Sequence, residues 1–377
     1  MTEQAYPAAR VAAAKVHPHF ALRSTWRKGP ASANASIPDV LTIEEMLSVA
    51  FWTSLRREEI YTPRLSLTFA APTEVDRPMV FDKPVPFAPQ ALARLAPAVE
   101  RPGIHLCVWR QSGELRVWGA SDSIPEFSFV LEIVAPGLLV LKHSRGESGK
   151  FVNIAVLQGE EIRVVDQRAA SAPDCPELLT SLLGLPLEFH AAAPVNALIQ
   201  LAVSMRAHGR GGSLLVVPAG IEVWRESILQ PIAYAVAPAF RSLAELMSEG
   251  PDERTRRTWR RALERVIDKI AGLTAVDGAT ILTNQYELVA FGAKIVRRPK
   301  CQLVDRVIVT APLEGAVAEV AEPAQLGGTR HLSAAQFAHD QRDAIALVAS
   351  QDGRFTVLGW SPCEKLVHAH RIETLLL

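Results

Sequence analysis

The chain has 377 residues, 49% of them hydrophobic, with 40 lysines and arginines against 40 aspartates and glutamates. This length allows two domains and the apolar content supports full cores, whereas a formal net charge of zero excludes the basic balance of a dedicated DNA or RNA binder. No apolar run reaches membrane-spanning length, and Cys107, Cys175, Cys301 and Cys363 show no pairing rhythm, so a cytoplasmic protein without a membrane partner is expected.

Residues 1–38 read as a flexible arm ending in a Gly-Pro-Ala-Ser stretch. A capping box, Thr42 with Glu45 three residues later, predicts a helix carrying Met46, Leu47, Ala50 and Phe51 on one face. Alternation predicts a strand over 64–69. A hairpin comes next, with arms at 105–109 and 115–118 around Gly113, and Trp109 and Trp118 are expected to pack within it. Further strands are expected at 127–134, 138–141, 151–156 and 162–165. A Ser/Ala/Pro cluster at 169–176 and a short helix at 176–183 place the end of this β-rich domain, 39–190, near residue 190.

The second domain, 191–377, mixes both periods. Helices are predicted at 195–207 and 253–272, the latter with Trp259, Leu263, Ile267 and Ile270 in its apolar stripe. Arg254, Arg257, Arg261 and Arg265 line another face of that helix, where Glu264 and Asp268 suggest a solvated ion-pair surface. A fully apolar strand at 213–218 reads as central; others are expected at 279–283, 288–291 and 306–310. A helix at about 333–342 precedes a closing hairpin, 344–350 and 355–359, turned at Asp352-Gly353. The expected class is α/β (mixed α+β), a mixed sheet flanked by helices behind a β-rich domain. One echo links the halves: Glu114-Leu-Arg-Val-Trp-Gly-Ala120 and Glu287-Leu-Val-Ala-Phe-Gly-Ala293, which two related hairpins or the shared alternation alone would produce.

Chemistry concentrates in two stretches of the second domain. Asp277-Gly278-Ala279 puts a carboxylate, able to hold a divalent cation, at a tight glycine turn. Gly327-Gly328-Thr329-Arg330-His331 opens a helix, offering free N–H groups and a planar guanidinium to a phosphate. Taken singly, Asp277-Gly278 reads as a plain turn, His331 as a residue satisfied by the helix start, and Arg330 as a partner of Glu319 or Glu322. Their joint order favours a nucleotide pocket. Lys294 and Arg297 read as solvated residues, Trp224 and Tyr234 as core aromatics, and Cys363, His368 and His370 lack the spacing of a zinc site.

With Asp277-Gly278-Ala279, Gly328-Thr329-Arg330-His331 and Ala349-Ser350 in this order, residues 191–361 resemble the diadenylate cyclase domain. The stretches 47–52, 207–218 and 224–228 make the whole chain look like the DACNV branch of predicted sensors in bacterial signalling or defence. The resemblance implies nucleotide contacts from Asp277, Gly278, Ala279, Gly328, Thr329, Arg330, His331 and Ser350. It further implies Mg²⁺ or Mn²⁺ beside the nucleotide on Asp277, and a homodimer in which two ATP molecules face each other. Two departures count against turnover. Leu332 stands where the family has a second arginine, and Ser350-Gln351-Asp352 replaces a Ser-Glu-Glu turn, leaving Asp352 as the substitute metal carboxylate. The expectation is therefore a sensor of ATP or a cyclic dinucleotide with a degenerate cyclase-like domain, acting on a downstream effector that the sequence does not identify. The alternatives are an active metal-dependent diadenylate cyclase, with Asp277 catalytic, and an interaction protein with a vestigial pocket.

Overall fold

The computed structural model describes residues 6–24, 36–57, 61–101, 103–144, 151–166 and 196–377. Two compact units result, residues 1–165 with Leu377, and residues 166–376. The expected boundary near 190 and the short helix at 176–183 lie outside the described residues.

In the first unit, α1 (Pro7–Ser24) and α2 (Val40–Ser54) precede β1 (Leu65–Phe69) and β2 (Met79–Pro86). Then come α3 (Pro89–Val99), β3 (His105–Gln111), β4 (Glu114–Ser121), β5 (Phe129–Ala135), β6 (Leu138–Ser144), β7 (Phe151–Gln158) and β8 (Glu161–Val164). The strands form one sheet in the order β2-β4-β3-β1-β5-β6-β7-β8. Four features differ from expectation, among them α3 and β2, neither of which the sequence reading places. The supposed arm contains α1, whose Ala9, Ala12, Ala13, Val16 and Phe20 are buried in the unit's core. Its stripe is made largely of alanine, so the helical period carries little hydrophobic contrast. Helix α2 starts a turn earlier than the capping box indicates: Asp39 accepts the Thr42 N–H at 2.7 Å, and Glu45 instead binds Arg110 at 2.9 Å. Strand β2, with Pro84, lies at the sheet margin, where a missing N–H is tolerated. The β3–β4 hairpin matches the sequence, with Ser112 and Gly113 at φ 51° and 89° closing a two-residue loop. Trp118 is buried there and donates to the Ala70 carbonyl, while Trp109 packs on Phe69.

The second unit runs α4 (Ala197–Ala207), β9 (Gly212–Val217), β10 (Tyr234–Phe240), α5 (Ser242–Ser248), α6 (Pro251–Thr255), α7 (Arg257–Leu273), β11 (Ala279–Thr283) and β12 (Leu288–Ala293). It continues with β13 (Val307–Thr310), β14 (Glu319–Ala321), α8 (Thr329–Asp340), β15 (Ile345–Ala349), β16 (Phe355–Ser361) and β17 (Leu366–Arg371). The sheet order is β10-β12-β11-β9-β15-β16-β17-β13-β14. Strand β9 is interior, as its uninterrupted apolar run suggests, and splits its side chains between two cores. Leu214 and Val216 meet α4 and α7; Leu215 and Val217 meet the core that holds Phe337 of α8. Helices thus cover both faces of a mixed sheet, the class expected from the sequence. The long basic helix is two helices broken at Arg256, and its arginine face is not an ion-pair ladder. Arg254 donates to the Met247 and Glu249 carbonyls, and Asp268 accepts from Ser204. Among the described residues, Arg257, Arg261 and Arg265 form no ion pair.

The two sheets share one plan. Strands β2-β4-β3-β1-β5-β6-β7 correspond in order to β10-β12-β11-β9-β15-β16-β17. In both, the third and fourth strands of this series pair parallel, and the other five pairings are antiparallel. The sequence echo falls on equivalent strands, β4 and β12. Its glycines do the same work: a Cβ on Gly119 would strike the Met79 carbonyl of β2 at 2.3 Å, and one on Gly292 the Tyr234 ring of β10 at 2.7 Å. The units differ chiefly in one connection. Residues 122–128 join β4 to β5, whereas β13, β14 and α8 intervene between β12 and β15.

Each unit holds a buried histidine that contributes to its acid response. Burial lowers the His105 pKa to about 4, with Ser66 Oγ 2.7 Å from its Nδ1. Burial, with the charge of His368 second, lowers that of His370 to about 3. Both folded values lie below the unfolded value, so the unfolded chain binds more protons in between. The stabilisation is complete above about pH 6.5 and is lost as pH falls towards 4 and 3. We expect His105→Gln to remove about 3 kcal/mol of acid-induced loss, at order-of-magnitude precision, from urea unfolding free energies compared at pH 7 and pH 4. An unchanged pH slope in that variant would contradict a neutral imidazole at this position.

Candidate functional site

Parallel strands β9 and β11 begin at the end of the sheet where antiparallel β12 and β15 finish. A cavity of about 540 Å³ opens there. Its wall is built from Ser213 at the start of β9, the turn Asp277-Gly278-Ala279, and Ala293-Lys294-Ile295 after β12. Gly328, Thr329, Arg330, His331 and Ser333 of α8 and Ala349-Ser350 after β15 complete it. Every nucleotide-contact residue expected from the sequence is on this one surface. The volume lies within the range of small-molecule sites.

Local geometry explains these residue types. Gly278 sits at φ +106°, and a Cβ there would lie 2.5 Å from the Gly292 carbonyl carbon, so glycine lets β11 and β12 close together under the turn. A Cβ on Gly327 would lie 2.5 Å from His331 Nδ1, so this glycine leaves room for the imidazole. Helix α8 starts four residues earlier than the sequence suggests. Gly328 is its N-cap without a side-chain cap bond, so the Thr329 and Arg330 N–H groups, in residues that line the cavity, are not capped by a side chain.

The charged groups divide by role. Arg330 is half-buried and, among the described residues, has no ion-pair partner; the alternative pairing with Glu319 or Glu322 does not form. Asp277 is 85% exposed and pairs with Lys294 at 2.6 Å. Its carboxyl is held below the usual carboxylate range by the Lys294 hydrogen bond and charge, with a smaller effect from Arg330. His331 is buried, and burial lowers its pKa, so near neutral pH it is an uncharged support for the loop. Its Nε2 lies 3.4 Å from Thr356 Oγ1. Asp352 is not on the cavity wall: it pairs with Arg354 at 3.3 Å, and hydrogen bonding to Ser350 lowers its pKa. Gln351 donates its amide to the Arg210 carbonyl at 3.3 Å.

Sequence reasoning undervalued Lys294. The Ala279–Ala293 pairing brings Lys294 beside the Asp277 turn, but β-bulges shift the β11–β12 register, so counting residues along the hairpin would not have found it. Arg297 lies outside this wall. Tyr234 is also not the core residue expected: it is 50% exposed and stacks on Phe291, whereas Trp224 is buried. A second cavity, about 440 Å³ near Trp224 and His339 at the other end of β9, offers less to a ligand. Its buried Asp340 is already satisfied by the Arg298 N–H, Gln336 and His339.

The first unit does not repeat the site. Matching Leu106–Ala120 to Ala279–Ala293 places Ile104 where the second unit has Asp277, and Ser121 where it has Lys294. A counterpart of α8 is missing among its described residues.

The family model of DACNV, a probable sensor domain, matches residues 32–122. This range lies in the first unit and includes the α2 stretch 47–52 but not 207–218 or 224–228, so the likeness is narrower than the sequence suggests. The diadenylate cyclase link is not among the matches. A crystal structure of a hypothetical membrane spanning protein from Bacillus cereus is 16% identical, over 45% of this chain and 60% of that one, with a TM-score of 0.26. The chain thus spans about 60% of the length of that protein, and the likeness carries no argument. Comparison with curated proteins gives no match. No helix among the described residues is long and apolar enough to cross a membrane.

Proposed function

We propose that this chain is a nucleotide sensor whose second unit binds ATP or a cyclic dinucleotide without turning it over. The observation that carries the reading is the convergence of Arg330, Lys294 and the uncapped start of α8 on one cavity. Two cations and a positive helix end form a phosphate site, and Gly278 lets β11 and β12 close together beneath it. The DACNV match in the first unit supports a sensing role. Turnover is disfavoured because Leu332 supplies no donor and Gln351 no carboxylate. With one such site per chain among the described residues, an effector reading the ligand-bound state, or a second copy of the chain, would be the partner.

The test is calorimetric titration of the full chain with ATP and with cyclic di-AMP, alongside a turnover assay with ATP and Mn²⁺. The expected result is saturable binding at one site per chain and no cyclic di-AMP product. Absence of binding by both ligands would overturn the site. Sustained product that disappears in Asp277→Asn would replace the sensor with a cyclase.

A further inference from the structure

Among the described residues, the one carboxylate on the cavity wall already has a cation. Lys294 Nζ lies 2.6 Å from Asp277 Oδ2, and both residues face the cavity. A divalent cation beside a nucleotide ordinarily takes one or two carboxylates together with ligand phosphates. Here Lys294 already holds one oxygen of that carboxylate, and the neighbouring Gln351 is neutral, with its amide directed at the Arg210 carbonyl. The remaining candidate, Asp352, is off the wall and bound to Arg354. Among the described residues, no three His, Cys, Asp or Glu side chains gather as a metal set. These residues fit Mg²⁺ or Mn²⁺ poorly: the described wall offers a single carboxylate, one oxygen of which already accepts from Lys294, so an ion there would compete with the ammonium and take its other ligands from phosphate and solvent.

Resting on the nucleotide reading above, we infer that Lys294 takes the place of the metal, so that the cavity binds a phosphorylated nucleotide without a divalent cation. Asp277 orients the ammonium by accepting one of its three N–H bonds, leaving two for phosphate oxygens. The planar guanidinium of Arg330 and the α8 start supply the remaining donors. An exposed ion pair holds weakly in water, so its lysine is free to share its charge with an incoming phosphate.

The test uses the full chain, with ATP and cyclic di-AMP as probes, titrated in EDTA and again in Mn²⁺. The wild type should bind with affinities equal within about threefold in both conditions. Lys294→Met, which keeps the stem and removes the charge, should lose at least about tenfold in EDTA. Mn²⁺ should restore part of that loss through the freed Asp277, and Asp277→Asn in the Lys294→Met background should abolish the rescue. Wild-type binding that vanishes in EDTA and returns with Mn²⁺, or Lys294→Met binding as wild type in EDTA, overturns this inference and leaves the nucleotide site standing. Failure of both probes in both conditions overturns the nucleotide site and this inference with it. Mn²⁺ electron paramagnetic resonance without nucleotide gives an independent reading: a stoichiometric Mn²⁺ site in the wild type, lost in Asp277→Asn, would overturn the metal-free assignment.

Discussion

Arg330→Ala is expected to weaken nucleotide binding by about 10- to 100-fold, the range for losing hydrogen bonds to a charged group, while leaving thermal unfolding near that of the wild type. The two halves of this prediction have one cause. Arg330 lies on the cavity wall and has no carboxylate partner among the described residues, so removing it strands no buried charge in the free protein. On the proposed reading its value to the fold is small and its value to a phosphate large. Arg330→Lys should retain part of the affinity, because an ammonium keeps the charge and loses the fork. His331→Ala should behave oppositely in the unfolding experiment: the ring is buried beneath the loop, and its loss leaves a void against Gly327 and Thr356. Titration calorimetry and thermal unfolding on the same samples separate the two. An Arg330→Ala variant that binds as wild type would remove the phosphate role assigned to this guanidinium.

Gly278→Ala is expected to destabilise the second unit by about 3 kcal/mol or more, from backbone strain added to steric overlap. The glycine sits at φ +106°, which side chains rarely adopt, and the added methyl would meet the Gly292 carbonyl carbon at 2.5 Å and its oxygen at 2.7 Å. Those neighbours are backbone atoms of the adjacent strand, so relief requires β12 to move, and Lys294 would move with it. Gly315→Ala is the matched control. It also has positive φ, at 75°, but nothing lies within 4 Å of the added carbon, so the cost should be about 1–2 kcal/mol. Urea unfolding of the two variants measures the difference, and equal losses would show that the close approach of β11 and β12 is not what requires glycine. For a domain of this size the Gly278 variant should also melt about 10 °C lower.

Much of the candidate site was legible because its residues are local in sequence. Asp277-Gly278-Ala279 and Gly328-Thr329-Arg330-His331 each form a continuous turn or helix start, where backbone demands select residue types directly. The start of α8 was misplaced because an uncapped N-terminus lacks the Ser, Asp or Glu signals that mark a helix start. The true N-cap of α2, Asp39, was overlooked for the opposite reason: Thr42 and Glu45 offered a more familiar pattern one turn later. Helix α1 escaped because alanine packs well while contributing little contrast to a hydrophobic period. Strand β10 escaped because neither of its faces is buried, so no alternation marks it.

The amino-acid order alone determined the mixed class, the apolar central strand, the hairpin turns and the two glycine-marked stretches, since each arises from forces acting over a few residues. Tertiary structure decided the rest. The strand pairing that carries Lys294 to Asp277 depends on β-bulges whose positions are set by packing across the sheet. The shared plan of the two sheets emerges only when seven strands are paired, because β-sheet order is fixed by long-range hydrogen bonding and core burial and leaves little trace in linear sequence beyond one seven-residue echo.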